Sequence, residues 1–228
     1  MPCRMETLEL KEGGARLSVE RGSSRSWLVM QSSGGDFPVE ITVEEDASLE
    51  LAFIVLGDVR VRNSLTVNLV GSGASCRLRG LWLLGGNADV KFEVRMNHEV
   101  PQCNSEQVFK GICGGSARSD FFGLIKVDPD AQKTDARQQC HNLLLTEAAR
   151  ANAKPQLEIY ADDVICTHGA TVGRLRDEEL FYMRSRGISL EEAKKIQLTV
   201  FAAEALDIVP EDVSAGLQGW IDAITLSE

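Results

Sequence analysis

From Leu8 to Val172 the chain consists of short apolar or alternating runs broken by Gly, Asp, Asn and Ser, and this texture limits the body to β-structure. Ile41 to Val43, Leu49 to Leu56, Leu65 to Val70 and Val90 to Val94 are such runs. Each is strand-sized, and the residues between them are those that turn corners. The order Gly80-Leu81 then Ala88-Asp89 recurs as Gly123-Leu124 then Ala131-Gln132, 43 residues later. Two stacked coils of roughly 20 residues each would produce that interval. Solenoid strands pair with the coils above and below and bury one face. The runs therefore predict a parallel β-helix over residues 10–172 in preference to a sandwich of antiparallel sheets.

The texture changes after Gly173. Arg174 to Arg186 carries Leu180, Phe181 and Met183 among charges, which predicts a helix closed by Gly187 at the position after its cap. Ser189 followed by Glu192 forms a capping box that opens a second helix. From Pro210, the residues Val213, Leu217, Trp220, Ile221 and Ile224 recur at helical spacing and predict a third amphipathic segment. The chain thus divides into a β-helix core domain, 1–172, and a small C-terminal α-helical domain, 173–228. Helices this short cannot hide an apolar face alone, so they must pack on the body or on a partner.

With 34 acidic against 24 basic residues the net charge is −10, which argues against nucleic acid or an anionic membrane as partner. The start, MPCRMETLEL, has no long apolar run, and nowhere do 18 apolar residues follow one another, so a cytoplasmic location is expected. The six cysteines, Cys3, Cys76, Cys103, Cys113, Cys140 and Cys166, are expected to be free thiols. No C-x-x-C pair occurs, so any metal site must be gathered from distant residues.

Cys166 and His168 alternate on one strand and should share a face. An imidazole is a good iron ligand; the plainer reading of His168 is a hydrogen-bonded residue fixing a corner beside Gly169. Cys140 needs a depressed thiol pKa to bind metal, and Arg137 and His141 could supply the charge; its plainer reading is a buried core thiol. Cys103 and Cys113 read better as core or loop thiols, and Cys3 and Cys76 carry no expected role. Asp162-Asp163 reads as a solvated corner rather than an acid–base or magnesium pair. Phe181, Tyr182 and Met183 are either partner-facing anchors or helix core, and Arg184 and Arg186 could fork to a partner's carboxylates. No G-x-x-x-x-G-K-[ST] loop occurs, so the chain has no ATP site of that kind.

The stretch from Lys154 to Gly173, KPQLEIYADDVICTHGATVG, closely resembles the C-terminal signature of the SufB/SufD family, and of SufD in particular. Glu179 to Ile188 resembles the family's helical segment, and Gly123 to Val127 and Gln132 to Ala136 match upstream. His98, Pro101, Cys103, Ser105, Gln107, Lys110 and Gly111 fit its H-x-x-P-x-C-x-S-x-Q-x-x-K-G pattern. The likeness is good from Asn63 to Arg186 and loose over the first 60 residues.

That resemblance implies a right-handed parallel β-helix followed by helices. It further implies pairing of two β-helix subunits through their C-terminal coils, as a dimer of this chain or with a SufB-like sister subunit. The helical domain would dock a SufC-like ABC ATPase, for which the residues singled out above, Phe181, Tyr182, Arg184 and Arg186, are the candidate contacts. A transient iron–sulfur cluster would form near the join, with His168, Cys140 and Cys166 as metal candidates. The expected role is therefore a SUF-type assembly scaffold and not an enzyme. Two departures stand out. Family members usually carry an N-terminal helical region before the β-helix, whereas strands begin here almost at once. Gln138-Gln139-Cys140 resembles a SufB segment whose cysteine is implicated in assembly, while SufD proteins typically lack a thiol there. The competing functions are a purely structural adapter without cluster ligands and a β-helix polysaccharide lyase. The lyase fits poorly, because such enzymes are normally secreted and only 6% of residues are aromatic.

Overall fold

The structure, a computed structural model, describes residues 5–226. Its strands are β1 (Glu6–Thr7), β2 (Ala15–Val19), β3 (Ser24–Gln31), β4 (Gly35–Val43), β5 (Ser48–Gly57), β6 (Arg60–Leu69) and β7 (Ser75–Leu84). They continue as β8 (Asp89–His98), β9 (Asn104–Cys113), β10 (Arg118–Val127), β11 (Asp135–Leu144), β12 (Arg150–Ile159) and β13 (Ile165–Gly173). Four helices follow: α1 (Asp177–Ser185), α2 (Leu190–Ala203), α3 (Glu211–Gly216) and α4 (Gln218–Leu226), with a 3-10 turn at Glu204–Leu206 after α2. Odd-numbered strands form one parallel sheet of seven, and even-numbered strands form a second of six. Each coil contributes one strand to each sheet, which is the β-helix that the run lengths predicted.

The coil length differs from the expected one. Ser48 pairs with Ser75, Ser75 with Asn104, Asn104 with Asp135 and Asp135 with Ile165, steps of 27, 29, 31 and 30 residues. Every strand from β5 to β12 has 10 residues and a tight turn after it, so a half-coil is about 15 residues long. The 43-residue echo therefore spans three half-coils rather than two coils: Gly80 lies on β7 and Gly123 on β10, in different sheets. Corners along one edge stack in the left-handed region, with Asp46, Gln102 and Lys133 at φ of 54°, 63° and 63°. Their N–H groups donate to the next coil, Gln102 to the Gln132 carbonyl at 2.9 Å and Lys133 to that of Asp163 at 2.7 Å. Asp163 pairs with the Lys133 ammonium, and Asp162-Asp163 lies at an exposed corner, as expected.

The two sheets bury their facing sides around one interior. Val61, Leu65, Val67, Val90, Phe92 and Val94 point inward from the six-stranded sheet, and its other face is polar, which is why these strands alternate. The middle of the seven-stranded sheet is covered on both sides. Leu51 to Leu56 and Gly80 to Leu84 are apolar without alternation because a second layer lies over them. Ala52, Ile54, Leu56, Leu81, Leu83 and Ile112 pack outward against Leu198, Ala202, Ala205, Leu217, Ile221 and Ile224 of the helical segment. The segment from α2 to α4 thus buries one apolar face on the body, while Phe181, Ile196 and Val200 stay exposed.

The joints of the helical segment follow the sequence signals. At the end of α1, Ile188 N–H bonds the Met183 carbonyl at 3.3 Å and Gly187 N–H that of Arg184 at 3.0 Å, with Gly187 at φ 90°. This is a Schellman closure, which favours a residue without Cβ. Ser189 accepts from Glu192 N–H at 3.1 Å and opens α2. The third predicted segment is split: Pro210 caps α3, and Leu217 breaks it from α4. An ionic clasp fixes the turn after α2. Arg79, its side chain 3% exposed, donates to Asp207 at 2.7 and 3.0 Å and to Glu106 at 2.7 Å. Lys110 pairs with Glu204 at 2.6 Å and lies 4.8 Å over the Phe201 ring.

Candidate functional site

The last coil is where the interior opens. In a parallel register, side chains on one ladder point the same way. Across β9, β11 and β13 the inward ladders are Ser105–Ala136–Cys166, Gln107–Gln138–His168, Phe109–Cys140–Ala170 and Gly111–Asn142–Val172. The β11 members are buried. Their β13 counterparts are half-buried or exposed, because β13 and β12 are the edge strands and no coil covers them. Cys166 and His168 therefore share the mouth of the solenoid, as their alternation predicted: Cys166 half-buried against the interior cluster, His168 exposed.

Cys140 lies one rung inside that mouth. It is 0% exposed, its sulfur accepts from Asn142 Nδ2 at 3.5 Å, and burial pushes its thiol up to about 12. The expectation of a thiolate supported by Arg137 and His141 fails on alternation: both lie on the opposite face of β11. Arg137 forks to Asp135 at 2.9 Å twice, and His141 Nδ1 bonds Thr171 Oγ1 at 2.8 Å. Lys110 favours the thiolate but loses to desolvation. Burial also raises the Cys166 thiol. Cys76, Cys103 and Cys113 are buried core thiols, and Cys3 lies outside the described residues. Among the described residues no three His, Cys, Asp or Glu side chains converge to hold a metal ion.

The α1 candidates are solvent-facing. Phe181 is 72% and Tyr182 60% exposed, with Leu180 turned inward and Met183 between. Arg186 stacks 5.3 Å over the Tyr182 ring and donates to its hydroxyl at 3.2 Å; Arg184 is exposed. Beside them, Leu143, Leu175, Met183, Ile196, Val200 and Phe201 line a mainly apolar groove of about 370 Å³.

Residues 9–201 match the SUF system FeS cluster assembly SufBD core domain. This chain belongs to the SufBD family. Within the family its likeness is to SufD: it is 38% identical over 173 residues to the iron–sulfur cluster assembly protein SufD of Escherichia coli, covering 76% of this chain and 41% of that protein. It is 34% identical over 194 residues to a SufBD family assembly protein of Synechocystis, covering 83% and 42%. To SufD of Bacillus subtilis it is 32% identical over 165 residues, covering 72% and 38%. The chain spans about two fifths of the length of these curated relatives.

Much of the SufBD motif from His98 to Gly111 proves structural. His98 is buried and hydrogen-bonded to Ser105 Oγ at 2.9 Å, and Lys110 holds the helical segment. Gly111 leaves room for Trp82 and Asn142, since a Cβ there would fall 2.0 Å from the indole nitrogen and 2.2 Å from the amide oxygen. Sequence reasoning missed the polar interior of this SufBD chain. Gln107, Gln138 and Asn142 are fully buried, Gln138 Nε2 donates to Gln107 Oε1 at 2.9 Å, and Trp82 Nε1 donates to Asn142 at 3.2 Å. A signal existed: Gln138 and Asn142 stand at period two with Ala136 and Cys140, which places amides on the core side.

Proposed function

We propose that this chain is a scaffold subunit of a SUF-type iron–sulfur cluster assembly complex acting in the cytoplasm, rather than an enzyme. The observation that carries the reading is the uncovered last coil, in which the ligand-type side chains of Cys166 and His168 line the open mouth of the solenoid. An open solenoid end favours a matching coil, supplied by a second copy or by a SufB-like sister subunit. His168 and Cys166 from each side of such a join would give four N and S donors for nascent iron and sulfide. Cys140 would join them only after the last coil moves, because a buried neutral thiol is neither ligand nor nucleophile. The exposed Phe181, Tyr182, Arg184 and Arg186, together with the groove between α1 and α2, suit docking of a SufC-like ATPase. Among the described residues no helix is long and apolar enough to cross a membrane.

Anaerobic reconstitution with ferrous iron and sulfide, followed by absorbance and Mössbauer spectroscopy, tests the scaffold reading. Wild type should retain iron, His168→Ala and Cys166→Ser should lose most of it, and Cys140→Ser should lose less. The burial of Cys140 favours a second reading, an adapter that positions its partners without ligating the cluster. A wild-type chain, alone or with its sister subunit, that retains no iron in His168-dependent form would establish the adapter instead.

A further inference from the structure

The ladder that ends at His168 contains an unfinished hydrogen-bond chain. Gln107, Gln138 and His168 occupy successive rungs on β9, β11 and β13. Gln138 spends its Nε2 on Gln107 Oε1 at 2.9 Å, which leaves a buried atom without a partner at each end of the pair, Gln107 Nε2 on the inner side and Gln138 Oε1 on the other. An amide is planar and carries its nitrogen and oxygen on opposite edges, so a nitrogen directed at the preceding rung leaves the oxygen directed at the following one. That rung is His168. Room for the amide comes from across the interior. Gly123 on β10 lies beneath it, and a Cβ there would be 2.3 Å from Oε1 and 2.6 Å from both Cδ and Nε2. A buried carbonyl oxygen without a donor is costly, and stacked amides are a known ladder arrangement between parallel strands.

We propose that Gln138 is a positioning residue for His168: its side-chain oxygen accepts the ring N–H of His168, fixes one tautomer, and turns the other ring nitrogen out of the mouth toward iron or a second chain. This rests on reading His168 as a ligand at the join. Ligating imidazoles commonly have their second nitrogen held by an oxygen acceptor, which sets ring orientation and basicity. Here the acceptor is itself oriented by its hydrogen bond to Gln107, and Gly123 leaves the room it occupies. Gln107 and Gln138 touch no iron in this scheme and act through the imidazole.

The test is the tautomer of His168 in the metal-free, full chain. The protein has three histidines, so ring nitrogen signals in ¹⁵N-histidine-labelled material are assigned with His168→Ala. Spectra are taken at mildly alkaline pH. Wild type should show one dominant tautomer with a protected ring N–H. Gln138→Met should shift the tautomer ratio by roughly tenfold, the factor one neutral hydrogen bond is worth, and expose the N–H to exchange. Gln138→Glu, which keeps an acceptor, should restore the wild-type tautomer. Equal tautomer ratios in wild type and Gln138→Met, even with a lowered melting temperature, would make Gln138 merely structural and overturn the proposal. Should neither variant fold, wild type decides alone: a ring averaging both tautomers in fast exchange with solvent refutes it, and a protected N–H supports it. Iron retention is read separately. A fixed tautomer in a chain that binds no iron leaves this inference standing and removes the ligand reading, while an averaged ring in an iron-binding chain does the reverse.

Discussion

At the scale of single residues, burial decides what each titratable group does. Cys76, Cys113 and Cys140 all have thiols pushed from 9.0 to about 12 by desolvation. They are neutral at physiological pH, so alkylation at pH about 8 should label Cys166 well ahead of these three, as mapped by peptide mass spectrometry. Because the folded pKa lies above the unfolded one, the stability these thiols contribute is complete below about pH 9 and is lost as pH rises toward 12. Urea midpoints should therefore fall above pH 9, and Cys76→Ala should flatten that fall. His98 has the opposite sign. Burial lowers it from 6.5 to about 4, so the unfolded chain takes up protons first and stability is lost as pH falls from 6.5 to 4. The full loss is on the order of 3 kcal/mol, because each tenfold difference in proton affinity between the folded and unfolded chain is worth about 1.4 kcal/mol. In His98→Gln the acid slope of the urea midpoint should shrink; an unchanged slope would assign it to other groups.

At the scale of elements, the helical segment is joined to the seven-stranded sheet by an apolar layer and an ionic clasp. Arg79 is buried and Asp207 part-exposed, and the pair holds the 3-10 turn against β7. Removing one partner of a fully buried pair costs about 3–5 kcal/mol, and here Glu106 stays to hold the guanidinium. Asp207→Ala should accordingly destabilise by about 2 kcal/mol and speed amide exchange in α2 and α4 while β5 to β9 stay protected. The double change Arg79→Met with Asp207→Leu should recover most of that loss, because no buried charge remains unpaired. Uniform exchange over helices and strands in Asp207→Ala would mean that the two layers open as one unit.

At the scale of the whole molecule, the question is what covers the open coil. Val172 stands at the mouth, 45% exposed, on the ladder of Asn142. Pairing through this end would bury it against a matching coil. Light scattering at micromolar concentration should show a dimer, and Val172→Asp should shift it to monomer without changing the melting temperature by more than a few degrees. A dimer unaffected by Val172→Asp would place the join elsewhere and separate His168 from any second copy.

Run lengths and corner residues determined the strand-rich solenoid, because side-chain period and chain reversal are local properties of the backbone. The helix stop at Gly187 and the helix start at Ser189 were legible for the same reason. Coil length was not, since an echo between Gly80 and Gly123 cannot tell a whole coil from a half-coil until the strands are paired. The sides taken by Cys140, Arg137 and His141 followed from alternation once β11 was placed, but their burial did not. Desolvation depends on what the neighbouring strands lay over a residue, and only the tertiary structure puts Cys140 under a further coil and leaves His168, one rung on, uncovered.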